Sequence, residues 1–567
     1  MKSYLLIPFF LLVILGKLFG QSANWVFELE GEEESNISHV VQNGVGDYFV
    51  LGQCSGGSTN FGDIVFETLT NARTFFVAKI TGSGELEWVK PIENSGASGN
   101  WDGEVAGFVQ SEQDGSLYFL FECNDVNGDV YGGGEFGSFV LIKLLNTGEL
   151  DWVEEFESNH LYKNYGVGIN ALRVNEIGNL EVSIFSPKNE QIHMVKNNLW
   201  LPENSSVHLE FSPSGSVVEI IETNSKANLT NYKLGDFEVI SGAFSEGFEF
   251  GGESFDQKGY SPNGFFAVRD EQGVIFSKST GPLTLVTKAE QTGANGFLLS
   301  GYFIGKDFIW GKDTLFDDGY VTQYHMSHNR FLIKIDSIGE VSWGCYFTPL
   351  EENSQISWVD FAIDGDEIVL VFSFNNGILY NGQLRSSEYF SGVGNSTLYI
   401  DRLRINSGSI VSNSWIAGSC GSRPFRPMIQ HLNGKWILFG DYRKSLSLGG
   451  VSMVRDVEPK YFSNSFIMEF DNLTSMQESL NSMSNEDGLN PYANPSFGKS
   501  TIDVPSSFSV EPFILKIINE AGQLIEERFL PAGTDQLTLD LEGHPSGNYF
   551  VLLSNGTNSV TGKVVLR

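Results

Sequence analysis

Cysteine is scarce in this chain. Four residues in 567, Cys54, Cys123, Cys345 and Cys420, are too few to staple a fold of this length, which must rest on a packed core even in an oxidising compartment. Cys54 and Cys123 end equivalent apolar strands, FVLGQC and YFLFEC. Equivalent places in neighbouring repeats put Cα atoms beyond the roughly 7 Å that a disulfide bridges, so buried thiols are expected. Positive charge is scarce too, with 35 Lys and Arg against 70 Asp and Glu, a formal charge of −35. That balance repels nucleic acid phosphates and anionic membrane surfaces, so nucleic acid is not an expected partner. We read the acidity as solubility outside the cell.

Long apolar runs are missing except at the start. The run from Tyr4 to Leu15 is shorter than the roughly 18 to 20 residues needed to span a bilayer. With Lys2 before it and the small Gly20 before Gln21, it has the three parts of a secretory signal peptide, residues 1–20. No Cys follows that would indicate a lipid anchor, and no later stretch reads as a transmembrane segment.

Chemical motifs are missing as well. There is no Gly-x-Ser-x-Gly elbow, His-Glu-x-x-His helix or phosphate-cradling Gly loop. His325 and His328 could share a metal only on a helix, and they fall in a turn before a strand, where solvated histidines are expected. Asp125, Asn127 and Asp129 imitate the start of a calcium loop, but Val130 stands where the sharp turn needs Gly and Phe136 where a bidentate Glu belongs. A plain turn is expected there. No catalytic, cofactor-binding or metal-binding residue is assigned, and no cofactor is expected.

What the chain has is strand and turn material: 45 Phe, 19 Tyr and 63 Gly beside eight Met, which sets the class as all-β. It also repeats itself. FFVAKITGSGELEWVKPI (Phe75 to Ile92) is an apolar strand, a Gly turn and a returning strand centred on Trp88, the pattern of a hairpin. Copies run from Phe139 to Phe156, Phe265 to Ser279, Phe331 to Phe347 and Leu398 to Ile416, with a weaker one from Val207 to Ile221.

Seven Gly-turn strands accompany these hairpins, GDYFVLGQC at Gly46 being the first and GKWILFGDY at Gly434 the last. Anchors fall at Trp25, Trp88, Trp152, Val218, Phe276, Trp343 and Trp415. A further Gly-aromatic strand recurs as NFGDIVF, FEFGGESF, FIWGKDTLF and LSLGGVSMV. Counting anchor, Gly-turn, Gly-aromatic and hairpin strands gives four per unit, as in a propeller blade. The expected architecture is a seven-bladed β-propeller over 22–474. Its ring closes when the unpaired strand from Trp25 to Glu30 joins Phe466 to Phe470.

Residues 475–489, SMQESLNSMSNEDGL, are polar and aperiodic and read as a linker. Beyond them, five strands from Glu511 to Arg567 joined by short Gly turns predict a small β-sandwich over 490–567.

The propeller units resemble repeats of secreted bacterial β-propeller proteins, Phe75 to Trp88 and Phe331 to Trp343 most closely. The tail resembles the type A C-terminal sorting domain of type IX secretion cargo through Tyr492-Ala493-Asn494-Pro495, ILKIINEAGQLIEE, LTLDLEGHPSGNYFVLLSNG and the terminal Lys563 to Arg567; Ala493 replaces the more usual Pro. That resemblance implies export across the outer membrane by the type IX machinery, followed by release or surface attachment. TGELDW (Thr147 to Trp152) is similar to half of the tryptophan-docking motif of quinoprotein propellers, but the motif's earlier Asp is missing. We therefore take Trp88, Trp152 and Trp343 as packing anchors. The expected function is a non-enzymatic binding protein for a glycan or protein ligand, and the alternative is an extracellular hydrolase or lyase with a carboxylate site at the channel mouth.

Overall fold

The repeated hairpin is the outer half of a four-stranded antiparallel sheet. The computed structural model describes residues 23–471 and 498–566 apart from gaps in the connections, the longest being 93–104, 124–137, 159–168 and 318–327. The signal segment 1–20 and the linker 475–489 lie outside the described residues. All regular structure described is strand, and no helix among the described residues is long and apolar enough to cross a membrane.

In the first sheet Tyr48–Cys54 pairs with Thr74–Ile80, which turns and returns as Leu86–Ile92. A further strand, Ser35–Gln42, completes the sheet on the other side of Tyr48–Cys54. This order of first, Gly-turn, hairpin and anchor strand recurs in seven sheets among the described residues. We number the sheets 1 to 7 by their first strands: Ser35–Gln42, Val105–Gln110, Ile169–Val174, Ala227–Leu234, Thr284–Thr292, Asp360–Asp364 and Met428–Leu432. Each sheet touches the next and sheet 7 touches sheet 1, which makes the body a β-propeller.

Two expectations about the unit are corrected. The first strands escaped the sequence reading because four of them carry a register shift, at Ile37/His39, Val105/Gly107, Ile169/Ala171 and Val286/Lys288. A bulge of this kind reverses the inside-outside alternation partway along, so no clean period-two pattern survives. The Gly-aromatic segments, in turn, are not third strands of a blade. Each is a hairpin of its own, such as Ser58–Phe61 with Ile64–Glu67 and Phe308–Trp310 with Asp313–Phe316. Gly62 and Gly311 take left-handed φ in their tight turns.

These hairpins leave one sheet and reach back to the outer strand of the sheet before it. Ser58–Phe61 pairs with Trp25–Gly31, Ile192–Met194 with Leu150–Ser158, Gly377–Tyr380 with Val341–Pro349, and Ser445–Leu448 with Trp415–Ser419. Each of these four arms adds two strands to its predecessor, whereas Phe248–Phe250 with Glu253–Phe255 and Phe308–Trp310 with Asp313–Phe316 form two-stranded sheets of their own.

The ring closes where the sequence said it would. Trp25–Gly31 pairs antiparallel with Asn464–Phe470, Trp25 opposite Glu469 and Leu29 opposite Ser465, and so supplies the fourth strand of sheet 7. Polar clasps hold both ends of this seam. Glu469 accepts hydrogen bonds from Asn24 (2.7 Å) and from the Tyr48 hydroxyl of sheet 1 (2.5 Å). At the far end the Ser35 amide donates to the Ser463 carbonyl at 2.8 Å, with the hydroxyls of Ser35, Ser463 and Ser465 buried around it.

Glu28 lies within the seam, and burial followed by the charge of Glu30 raises its carboxyl to about 7, against a smaller opposing hydrogen bond from Asn464. With the folded pKa above the unfolded one near 4.5, Glu28 favours the fold below that lower value. The contribution is lost as pH rises through about 7. Glu28→Gln is therefore expected to be more stable than the parent above pH 8, by about 2 kcal/mol, and level with it at pH 4.5. Urea melts across that range check both.

Apolar packing lies between sheets rather than within one. Phe49, Leu51 and Val77 of sheet 1 join Phe119, Val140 and Ile142 of sheet 2, and comparable cores join most other neighbours. The anchors fix these interfaces through the turn glycines of the following sheet. A Cβ placed on Gly84, Gly148, Gly215, Gly339 or Gly408 would fall within 3 Å of the ring of Trp25, Trp88, Trp152, Phe276 or Trp343 respectively. Trp152 Nε1 also donates to the Pro213 carbonyl (3.0 Å) and Trp343 Nε1 to that of Ile405 (2.9 Å). The other two anchors are corrected. In sheet 3 Glu210 takes the place of the Lys that faces the anchor in sheets 1, 2 and 5, and Glu219 stands opposite it, with Val218 displaced into a bulge. In sheet 6, Trp415 stands opposite Ile400 instead of Arg402.

Gly339 has φ +80°, and its missing side chain makes room for Phe276. Gly339→Ala is expected to cost about 3 kcal/mol from backbone strain and overpacking together. Gly365→Ala, also left-handed but facing open space, should cost only about 1 kcal/mol. Parallel denaturant titrations of the two variants measure the difference.

The tail is a sandwich of a four-stranded sheet on a two-stranded one. Leu524–Leu530, Phe513–Asn519, Gly547–Ser554 and Ser559–Leu566 pair in that order, and Lys499–Asp503, a sixth strand beyond the five expected, pairs with Gln536–Asp540. Its core, including Ile502, Leu515, Leu539, Val551 and Val564, is drawn from tail residues alone.

Candidate functional site

The two faces of the ring are built differently. On one face every link between first and Gly-turn strands is short, from two residues in sheet 4 (235–236) to six in sheet 2 (111–116). On the other, the links between Gly-turn and hairpin strands run from 14 residues in sheet 2 (124–137) to 25 in sheet 5 (304–328). Long loops on a rigid frame are where binding residues concentrate.

The first strand is terminal in every sheet, so the seven first strands surround the axis and their unpaired edges line the channel. Sheets 5, 6 and 7 give this wall its charge. Lys288 Nζ lies 2.9 Å from Asp360 Oδ1 and 3.2 Å from Glu290 Oε1. It also donates to the Phe361 carbonyl at 2.5 Å and stands over the Phe361 ring. The second oxygen of Asp360 accepts the Ile429 amide of sheet 7 at 2.8 Å. One carboxylate thus ties three consecutive sheets. Next to it, His431 stacks on Trp436, with ring centroids 4.5 Å apart, and faces Asp364 at 3.9 Å.

Lys288 and Glu290 keep 28% and 31% side-chain exposure, which at the axis of the ring means contact with the channel. Burial opposes the charge on Lys288, yet Asp360 and Glu290 outweigh it and raise its pKa. Burial raises the Glu290 carboxyl, only partly offset by Lys288. Across the wall in sheet 1, His39 is lowered to about 4 by burial and stays neutral.

Of the residues weighed from the sequence, Asp125, Asn127, Asp129, Val130, Phe136 and His325 lie outside the described residues. His328 is not a solvated loop histidine: it is half-buried and stacked on Tyr302, ring centroids 4.9 Å apart, with the Arg330 guanidinium also over that ring. Cys54 and Cys345 are buried free thiols, their pKa values raised by burial to about 12 and about 11. The side chains of Cys123 and Cys420 lie outside the described residues. Among the described residues no group of three or more His, Cys, Asp or Glu side chains could hold a metal ion. The Lys288 cluster was missed because its members sit on the bulged or very short first strands, where no spacing motif marks them.

The tail decides the one assignment that comparison supports. Residues 490–567 match the family described as a secretion system C-terminal sorting domain. The tail is a sorting domain. It implies export by the type IX secretion system, interaction with that machinery, and a destination at the cell surface or beyond. No curated protein matches the chain. Among solved structures, Trypanosoma rangeli sialidase is similar at 9% identity and a TM-score of 0.31, covering 94% of this chain and 84% of its own. The same enzyme in complex with 2,3-difluorosialic acid, as a covalent intermediate, gives 9% identity and 0.30, covering 94% of this chain and 83% of its own. Likeness this loose assigns neither substrate nor site.

Proposed function

We propose that the mature chain is a secreted or surface-displayed seven-bladed propeller without enzymatic activity, which binds a glycan or protein at the channel mouth on its long-loop face. In this reading residues 1–20 direct passage into the periplasm and are removed, and the sorting domain completes export. The observation that carries it is the asymmetry of the connections, short on one face and long on the other in every sheet, the long links exceeding what their strand-forming arms take up, as 304–328 does beyond Phe308–Phe316. Surplus connection on a rigid frame is where binding residues concentrate. The test is a glycan and protein-partner array probed with the mature chain. Retention of one ligand class is expected, lost when segments 317–327 and 387–395, which leave the arms Phe308–Phe316 and Gly377–Ser386 in place, are each replaced by Gly-Ser sequence of equal length. A mature chain that retains nothing on the array would count against it.

A second reading, an extracellular hydrolase, is favoured by one observation. Glu290 and Asp360 touch the same Lys288 ammonium, and burial holds Glu290 toward its protonated form while Asp360 is tied down by Lys288 and a backbone amide. A carboxyl biased toward its protonated form by burial, beside a second carboxyl on the same ammonium, is what general acid catalysis can use. A broad hydrolase screen with the parent and Glu290→Gln separates the two readings. Turnover lost in the variant supports the enzyme, and its absence from the parent leaves binding.

A further inference from the structure

The interface between sheets 3 and 4 lacks the devices that close the others. At the anchor position sheet 3 carries Glu219, exposed to solvent, and a Cβ on Gly273, the turn glycine opposite it in sheet 4, would meet nothing within 4 Å. The arm that leaves sheet 4, Phe248–Phe250 with Glu253–Phe255, forms a two-stranded sheet of its own. It packs its Phe residues on Phe244 and Phe265 of sheet 4, in a core to which sheet 3 contributes no residue. Where the corresponding arm of another sheet is described, it hydrogen-bonds to the preceding outer strand, the Gly311 amide of the sheet 5 arm donating to the Ser279 carbonyl at 2.7 Å; the link of sheet 2, 124–137, lies outside the described residues. Here, among the described residues, the outer strand of sheet 3, Val217–Thr223, has one paired edge and one free edge.

That strand is unusual in content as well. Its sequence is VVEIIET, and Val218, Ile220 and Ile221 are 57%, 42% and 44% exposed, so both faces as well as the free edge are open. A β-branched edge strand in this state is a template for another strand, and natural proteins normally blunt such edges. Glu219 and Glu222, both exposed, add negative charge to a chain already at −35. Pairing with a second copy of the same strand would set these acids against each other.

We propose that Val217–Thr223 is a strand-addition site for an extended, basic and β-branched segment of a partner protein. Backbone hydrogen bonds to the free edge supply the attachment, Val218, Ile220 and Ile221 the apolar contact, and Glu219 and Glu222 the choice of charge.

The test uses the full mature chain at 0.15 M salt and a labelled nine-residue peptide of alternating Lys and Val, capped at both ends. Alongside it run a Glu-for-Lys counterpart and a version with alternate amides N-methylated so that one edge cannot donate. Fluorescence anisotropy is expected to show binding of the basic peptide alone. Glu219→Lys with Glu222→Lys, both at exposed positions, should weaken it about tenfold through loss of charge complementarity, and the peptide should slow amide exchange in 217–223. Equal binding of the N-methylated or the acidic peptide would overturn the proposal, because attraction would then not need the edge or its charge. So would slow exchange, in the free protein, of those amides of 217–223 that face away from Ser205–Phe211, which would mean the chain's own arm covers the strand, or concentration-dependent dimerisation abolished by the same double substitution.

Discussion

A chain ending at residue 489 is expected to fold its propeller and remain with the cells. Among the described residues the sorting domain contributes nothing to the inter-sheet cores, and its own apolar cluster, from Ile502 to Leu566, contains tail residues only. Its removal should leave the thermal unfolding of the propeller unchanged while export falls to near background. Immunodetection of the medium, the cell surface and the cell interior, for the full and the shortened chain, measures this. A full-length variant with Val551→Asp makes the same point by destroying the tail core instead of the tail. Burying one unpaired carboxylate there costs more than a domain of roughly 70 residues has to spare. Efficient appearance of either chain outside the cell would mean that the tail is not the export signal.

The second large effect is expected at the seam. Leu29 is 1% exposed and packs with Phe61, Phe76 and Ile467 in the core between sheets 7 and 1. Leu29→Asp is expected to destabilise the ring by about 4 kcal/mol or more, from the lost apolar burial plus an unpaired buried charge. The strand it sits on joins Asn464–Phe470 by non-covalent pairing alone, so its detachment should expose the edge of Asn464–Phe470 to protease well before global unfolding. Calorimetry and limited proteolysis of the mature chain check both effects. Val45→Thr, at an exposed turn position of sheet 1, serves as the control and should change neither.

Much of this architecture was legible in the residues, and the failures have identifiable causes. The hairpin repeats were readable because strands buried on both faces write continuous apolar runs, as in FFVAKI and FLIKI. The seam followed from simple counting of unmatched strands. The first strands were lost because a strand whose free edge borders a channel alternates weakly, and a bulge then inverts what alternation remains. The arms were misread as blade strands since FIWGKDTLF looks locally like one strand, whereas Gly311 at φ +66° folds it into two. The anchor at Val218 was misplaced by one residue because the position four residues after the turn Gly, which holds Trp88, Trp152 and Trp343 elsewhere, is here the acid Glu219, which does not read as an anchor. The Lys288, Glu290 and Asp360 cluster could not be found at all, because its members are up to 72 residues apart in the chain and only the packing of consecutive sheets makes them neighbours. The sorting domain was the easiest to see, its turns and strand order being contiguous in sequence.

The ring closure also sets a timetable for synthesis. Trp25 pairs with Glu469, so the strand that leaves the ribosome among the first can find its place only after more than 400 further residues have followed it. Contacts of such span are slow to form, and until they do the early strand is an open edge available to any neighbouring chain. Whatever carries the nascent protein must keep that segment idle until the last module arrives, and a crowded compartment invites two unfinished rings to complete each other.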